Sequence, residues 1–198
     1  SVSQANAAVS APTEPDALSV IEIPRTRLST LAIRRIVGDV TAAVVSVRVG
    51  GGHGTGFIIG KSGLLLTNAH VVRQARRVQV VFANGLEIEG EVLRRDSIRD
   101  VALVNIPIRA RSVLPIRAKP ARTLEDVYVV GSPLMEALEA TVTRGIVSAW
   151  RKDARTGLRH IQADVPISGG NSGGPLLDGF GNVIGITRAS YVDERAQN

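Results

Sequence analysis

The feature that most restricts the fold of this chain is a series of short segments rich in Val, Ile and Leu, separated by turn residues. Segments of this length, with β-branched side chains and Gly or Asn-Gly turns between them, predict strands rather than helices. Many such strands in succession predict an all-β barrel or sandwich. The predicted strands are 43–49, 55–59, 64–67, 78–82, 86–93, 101–106, 126–130, 141–149, 158–163, 175–177 and 183–187.

A linker bracketed by Pro115 and Pro120 divides these strands into two sets of comparable size. We therefore expect one domain over residues 28–198 that contains two β units, the first at about 38–116 and the second at about 121–198. Residues 1–27 are dominated by Ala, Ser, Pro, Thr and Glu without sustained periodicity, which predicts a flexible N-terminal segment.

A short N-terminal helix is predicted just before the first strand. Ser29 or Thr30 would cap its start, and Gly38 would end it. Its partial apolar face consists of Leu31, Ile33, Ile36 and Val37.

Composition excludes several classes of function. The chain has no cysteine, so it has neither disulfides nor thiol chemistry. Its net charge of +6 comes from scattered arginines, and aromatic residues make up only 3% of the chain, which favours a solvated basic surface over a nucleic-acid interface. No apolar run approaches the roughly 18 residues of a membrane-spanning helix.

The glycine-rich segment Gly169–Leu176 contains the candidate nucleophile, Ser172. Glycines beside a serine leave its hydroxyl uncovered and let the backbone approach a substrate closely. A serine nucleophile also needs N–H donors aimed at the oxyanion that forms on attack. We assign the candidate oxyanion hole to Gly170, Asn171 and Ser172.

The order of the histidines restricts the type of serine enzyme. Ser172 also fits the G-x-S-x-G pattern of an α/β-hydrolase, in which the histidine follows the serine. Here His53, His70 and His160 all precede Ser172, so that interpretation fails within this chain. The orders His-Asp-Ser and Asp-His-Ser remain.

The candidate catalytic triad is His70, Asp100 and Ser172. His70 follows an apolar strand, and Asp100 stands at the entry to another. The first two lie in the first β unit and the serine lies in the second, so a cleft between the units would bring them together. Asp96 is the alternative orienting acid. Asp39 would permit the subtilisin order, which the β-rich sequence disfavours.

The chain contains five ordered motifs that can be compared with known families, namely Thr55–Ile59, Leu66–Val72, Asp100–Val104, Val142–Ala149 and Gly170–Leu176. Together they resemble the trypsin-like serine proteases, and specifically the HtrA/Deg family. The resemblance extends from about Leu31 to Thr187. It departs from the family at Ile167-Ser168-Gly169, where an Asn-Pro is usual, and no PDZ domain is visible.

The resemblance implies two six-stranded β-barrels, no cofactor or metal, and endopeptidase action on unfolded or misfolded proteins. It also implies a periplasmic or otherwise extracytoplasmic location and a homotrimer built through the N-terminal segment. His53 and His160 are expected to be solvated loop residues.

The substrate pocket is expected to be aliphatic. By position in this fold, its wall would contain Pro166, Ile167, Ile186 and Thr187, with no carboxylate to bind Arg or Lys. We therefore expect cleavage after small or medium aliphatic residues.

The alternative function is a chaperone-like scaffold, catalytically weak or regulated, that binds unfolded chains in the same cleft. A basic nucleic-acid binder is the third hypothesis, and steeply salt-dependent binding would reveal it.

Overall fold

The structure of the protein is a computed structural model that describes residues 21–132, 140–167 and 169–188. The described part is predominantly β, with two sheets joined by the proline-bracketed linker. The predicted all-β class is confirmed.

The first six strands form a closed antiparallel barrel, because the last strand in space pairs back onto the first. The order around the barrel is β1-β2-β3-β6-β5-β4. Closure leaves no unpaired edge. The strands are β1 (Val44–Val49), β2 (Gly52–Gly60), β3 (Leu64–Thr67), β4 (Arg77–Val81), β5 (Glu87–Asp96) and β6 (Val101–Asn105).

The second sheet has five antiparallel strands among the described residues, in the order β11-β10-β7-β8-β9. It is a half-barrel, whereas we predicted a six-stranded barrel; residues 189–198, which were expected to contain part of it, lie outside the described residues. The strands are β7 (Asp126–Gly131), β8 (Thr141–Lys152), β9 (Arg159–Asp164), β10 (Pro175–Asp178) and β11 (Val183–Ile186).

Three buried clusters hold these sheets. One fills the first barrel around Val45, Leu65 and Val104, and another lies under the second sheet around Val129 and Val147. The third joins the two sheets, since Phe57 and Leu66 of the first barrel pack with Val130 and Leu177 of the second. Burial of apolar surface therefore fixes the two sheets against each other.

The N-terminal helix differs from the prediction. A 3₁₀ helix covers Ile33–Arg35, and the α-helix α1 covers Val37–Ala42, so it continues through Gly38 rather than ending there. Val40 is the buried residue of α1. Packing of that side chain on the core overrides the low helix propensity of one glycine in the first turn.

Strand positions agree with the sequence, and lengths differ. All eleven predicted segments form strands, and β2, β5 and β8 extend beyond the predicted bounds. The start of β2 at Gly52 places His53 in a strand paired with Arg48, and His160 lies in β9 paired with Arg151. His53 was expected in a loop, so that placement was wrong. His160 was also expected to be a loop residue, although the predicted strand 158–163 contains it, and the strand prediction is the one confirmed. Both histidines are exposed, as predicted. Hydrogen bonding to β1 places the glycine-rich residues around His53 in a strand, although their composition favours a turn.

Candidate active site

His70 lies at the end of the first barrel on a single helical turn. β3 ends at Thr67, Asn68 takes the N-cap position, and the helix α2 covers Ala69–Val72. The neighbours Ala69, Val71 and Val72 are buried, whereas the His70 side chain is 49% exposed. The turn is therefore anchored by its apolar residues, and it presents the imidazole to the surface.

Asp100 holds both the ring and the backbone of His70. Its Oδ2 lies 2.7 Å from His70 Nδ1, and its Oδ1 accepts the backbone N–H of His70 at 3.0 Å. A carboxylate only accepts hydrogen bonds, so Nδ1 carries the proton and Nε2 keeps its lone pair. That tautomer is the one a general base requires.

The backbone of Asp100 is held in an uncommon conformation. Its φ is +56°, a left-handed value that aspartate tolerates better than most residues. The Asn68 side-chain amide donates to the Asp100 carbonyl at 2.9 Å, and the Asp100 side chain is only 13% exposed. The backbone of Asp100 is thus held by Asn68, and its carboxylate by the two contacts with His70.

Asp96, the alternative orienting acid, is engaged elsewhere. Its carboxylate contacts the Arg99 guanidinium at 2.7 Å and accepts the backbone N–H groups of Ile98 and Arg99. These hydrogen bonds from Arg99 lower the pKa of Asp96. Asp96 therefore caps its own turn, and the structure brings Asp100, not Asp96, to His70.

Ser172 lies between a 3₁₀ helix, Gly169–Asn171, and the start of β10. The Ser172 carbonyl accepts the Thr55 N–H of the first barrel at 2.8 Å, and Gly173 N–H donates to the Thr187 carbonyl at 2.9 Å. The serine backbone is thereby bonded on one side to β2 and on the other to the segment after β11.

The backbones that carry Ser172 and His70 are adjacent. A Cβ placed on Gly54 would lie 3.0 Å from the Ser172 carbonyl oxygen and 2.6 Å from a methyl of Val71, the residue after His70. Gly173 has φ +85°, and a Cβ there would collide with the Thr55 carbonyl. Glycine is therefore required where the serine loop and the histidine turn meet.

Buried hydroxyls hold the loop 170–172, which contains the candidate oxyanion hole and is called the oxyanion loop below. Thr55 Oγ1 donates to the Gly170 carbonyl at 2.6 Å, and Thr187 Oγ1 donates to the Asn171 carbonyl. Because each peptide is planar and trans, the N–H that follows each carbonyl points the opposite way. The N–H groups of Asn171 and Ser172 are therefore directed away from these two threonines.

The four predicted pocket residues are distributed unevenly. Pro166 and Ile167 are exposed, and Ile186 is half-buried against the core cluster that joins the sheets. Thr187 is buried, and its hydroxyl is used on the Asn171 and Gly174 carbonyls. Thr187 thus positions the loop with its hydroxyl rather than offering that group to a substrate.

Sequence reasoning did not assign Thr55 and Arg188 to the site. Thr55 was read only as part of a strand motif, yet it is fully buried and bonds the oxyanion loop. Arg188 Nε lies 3.5 Å from Asp100 Oδ2. No local pattern marks either contact, because each joins residues far apart in the chain.

Neither a metal centre nor a membrane helix is found in the described part. Within residues 21–132, 140–167 and 169–188, no three His, Cys, Asp or Glu side chains are grouped to hold a metal ion. No helix in the same ranges has the length and apolarity needed to cross a bilayer.

A closed barrel, a second β sheet and a paired histidine and aspartate beside a glycine-flanked serine define the trypsin-like class of fold. The family model for the trypsin-like peptidase domain matches residues 54–186. The chain belongs to the trypsin-like peptidase family, and its relatives place it with the HtrA proteases, as the sequence motifs predicted.

Similar proteins agree in fold and family. HhoB from Synechocystis sp. is 41% identical over 152 residues, which cover 72% of this chain and 35% of HhoB. The mitochondrial serine protease HTRA2 from Bos taurus is 36% identical over 182 residues, 82% of this chain and 39% of HTRA2. The crystal structure of Deg5 matches with a TM-score of 0.67 and 28% identity, over 80% of this chain and 85% of Deg5. The chain thus spans somewhat more than a third of the length of these two curated relatives.

Proposed function

We propose that this chain is a serine endopeptidase that cleaves unfolded or misfolded proteins. The observation that carries the proposal is the double contact between Asp100 and His70, at 2.7 Å to the ring and 3.0 Å to the backbone. The membership of the trypsin-like peptidase family supports the same activity.

The chemistry follows from the tautomer that Asp100 imposes. Ser172 Oγ attacks the substrate carbonyl carbon, and its proton moves to His70 Nε2. The carbonyl oxygen becomes an oxyanion, which backbone N–H groups of the Gly170–Ser172 loop stabilise. Asp100 stabilises the imidazolium that results.

The second half of the reaction returns the enzyme to its starting state. The tetrahedral intermediate collapses, the C–N bond breaks, and His70 Nε2 donates its proton to the leaving amine. Water then attacks the Ser172 ester, with His70 again as the base. No cofactor is needed, because proton transfer and N–H donation are supplied by the chain itself.

Active-site labelling tests the activity directly. The purified chain is treated with a fluorophosphonate probe and, separately, with unfolded casein. We expect labelling and casein cleavage, both lost in Ser172→Ala and retained in the matched control Ser62→Ala, which alters an exposed turn serine. If the chain binds casein but is not labelled by the probe and does not cleave casein, the result would instead support the chaperone-like scaffold.

For specificity, we propose cleavage after small or medium aliphatic residues. Ile167 is exposed and Ile186 half-buried, so the predicted pocket wall offers aliphatic surface to a substrate side chain. A P1-randomised peptide library is expected to give the highest kcat/KM for Val, Ala or Ile. A preference for Arg or Lys would overturn this specificity and leave the peptidase activity standing.

We also propose that the chain is an extracytoplasmic protein that works as a homotrimer. Leu28 and Leu31, at the start of the domain, and Phe180, on the β10–β11 turn, are exposed apolar side chains. The two segments adjoin, since the Ile33 N–H donates to the Gly179 carbonyl. Exposed apolar side chains on adjoining segments are a common feature of protein interfaces. Light scattering of the full chain is expected to give three times the monomer mass, and Leu31→Asp with Phe180→Asp to reduce it; a monomeric wild type would overturn the trimer.

A further inference from the structure

A cavity of about 550 Å³ lies beside the His70–Asp100 pair. It is large enough for one or two side chains of a bound peptide and falls within the range of ligand sites in proteins. Its wall is made by the histidine turn, the loop before β6, the β8–β9 turn and Arg188 in the segment after β11. These elements contribute, among others, Arg73, Ile98, Arg155, Thr156 and Arg188.

Three arginines from three separate elements line this cavity. Arg73 follows α2, Arg155 lies in the β8–β9 turn, and Arg188 follows β11. Residues far apart in the chain thus place like charges around one space. The positive potential that results favours an anionic group.

The carboxylates near the cavity do not neutralise all three arginines. Asp100, which lines the cavity, is occupied by His70 and lies 3.5 Å from Arg188 Nε. Asp153 accepts the backbone N–H groups of Arg155 and Thr156, and these bonds lower its pKa.

In the described ranges, neither Arg73 nor Arg155 has a carboxylate oxygen within 4.0 Å. Arg73 lies against the start of β2, since a Cβ on Gly52 would be 3.3 Å from its guanidinium. Arg73 and Arg155 are therefore the two arginines of this cavity without a described carboxylate at contact distance, and of these Arg155 interacts with Asp153 only at longer range.

The position of the cavity indicates which part of a substrate reaches it. Arg188 directly follows Thr187, whose hydroxyl holds the oxyanion loop and which belongs to the predicted P1 wall. A substrate whose P1 residue occupies that wall would therefore bring its neighbouring residues close to Arg188 and to this cavity. We propose that this cavity is a subsite for an Asp or Glu side chain at P2, P3 or P4; the proposal rests on the peptidase function above.

The expected preference is moderate, because the arginines are exposed. An exposed ion pair contributes about a 1.4- to 5-fold change in an equilibrium constant. Two or three such contacts predict that a Glu substrate is cleaved roughly tenfold more efficiently than the matched Gln substrate. Screening by salt reduces this factor, since the Debye length falls to about 3 Å at 1 M.

The experiment compares peptides that share one aliphatic P1 residue and differ only by Glu or Gln at P2, P3 or P4. The ratio of kcat/KM for the Glu and Gln peptides is measured with the full chain at low and high salt. We expect a ratio of about ten at one of these positions at low salt, a smaller ratio at high salt, and a reduction of about threefold in Arg155→Gln. Arg111→Gln, which removes an exposed arginine outside the cavity, is the matched control and should keep the wild-type ratio.

Two results would overturn the subsite. One is a Glu/Gln ratio within twofold of one at every position, with the Gln peptides cleaved. The other is a preference that survives the double variant Arg73→Gln, Arg155→Gln unchanged.

If no peptide is cleaved, the proposed peptidase function is wrong. The anionic subsite is then tested independently by measuring peptide binding. Fluorescence anisotropy of the same peptides with Ser172→Ala then shows whether the Glu peptide binds more tightly in an Arg155-dependent way. Tighter binding supports the anionic subsite, and equal binding of the Glu and Gln peptides overturns it.

Discussion

Among the described residues, the ionic cluster around Arg117 and the one around Asp100 differ in exposure. In the first, Arg117 makes a bidentate contact with Glu125 and a 3.0 Å contact with Asp178. Its Nε also donates to the Lys119 carbonyl at 3.0 Å. The Arg117 side chain is 15% exposed and that of Asp178 only 3%, so the linker is fixed to β10 by a closed set of bonds.

The second cluster is open on one side. Here one acid, Asp100, contacts both His70 and Arg188. The side chains of His70 and Arg188 are 49% and 66% exposed, respectively. The acid is held tightly while its partners face solvent. An ionic contact whose members are all enclosed is suited to stabilising the fold, whereas one with an accessible member leaves a polar group available to a substrate.

The largest effect that would test this contrast is the loss of the orienting acid. Asp100→Asn is expected to lower kcat by about 10⁴, because the amide presents the wrong partner to His70 Nδ1. The thermal midpoint should change little, since His70 is half exposed and the Asn68 bond goes to the backbone. Steady-state kinetics and calorimetry on the same preparation measure both. If kcat falls by less than about tenfold, Asp100 is not the residue that orients His70.

The converse result is expected in the enclosed cluster. Arg117→Met should lower the free energy of unfolding by about 3 kcal/mol, because it leaves the buried Asp178 carboxylate without its cation. The kcat of the folded enzyme should stay close to wild type. Denaturant unfolding measures the loss, and Arg144→Met, which removes the exposed pair with Asp126, should leave the unfolding midpoint unchanged. Equal effects of the two variants would abolish the distinction between the clusters.

Thr55 links the oxyanion loop to the first barrel, so its replacement should change both the stability and kcat. Thr55→Val leaves the Gly170 carbonyl and the Ser132 N–H without their shared hydroxyl partner. We expect a loss of about 1.5 kcal/mol in stability. We also expect roughly a tenfold fall in kcat, because a displaced loop aligns the reacting groups poorly. Thr55→Ser keeps the hydroxyl and should recover most of kcat; if it does not, the packing of the methyl group, not the hydrogen bond, is what matters.

The smallest effect concerns the pH dependence of stability in the enclosed cluster. The side-chain hydrogen bond from Arg117 lowers the pKa of Glu125 below the usual 4.5. Unfolded chains then bind more protons than folded ones near that pH, so this contribution is complete above about 4.5 and is lost as pH falls through the lowered pKa. The stability difference between wild type and Arg117→Met should therefore shrink on acidification. A difference that is constant between pH 7 and pH 3 would contradict this account.

Local residue chemistry was enough to predict the strands and the identity of the candidate site residues. All eleven strand segments were predicted, because β-branched runs between glycine turns have few other solutions. The errors fell where neighbours in space outweighed local preference, at Gly38 within α1 and at His53 within β2.

Tertiary structure decided the contacts that join distant parts of the chain. From sequence, Asp96 and Asp100 were both candidates to orient His70, and only the path of the chain before β6 turned Asp100 toward the ring across a separation of 30 residues. The Thr55 bond to Gly170 spans 115 residues. The use of the Thr187 hydroxyl on the oxyanion loop had no sequence signal for the same reason.

The all-β class, the order His70, Asp100 and Ser172, and the resemblance to the HtrA proteases could be predicted without a structure, because these depend on residue type and order along the chain. Only the folded chain decided which carboxylate meets the histidine, which threonines hold the serine loop, and which arginines surround the adjacent cavity. Those outcomes depend on long-range packing of two sheets, and no local pattern records how distant segments approach one another.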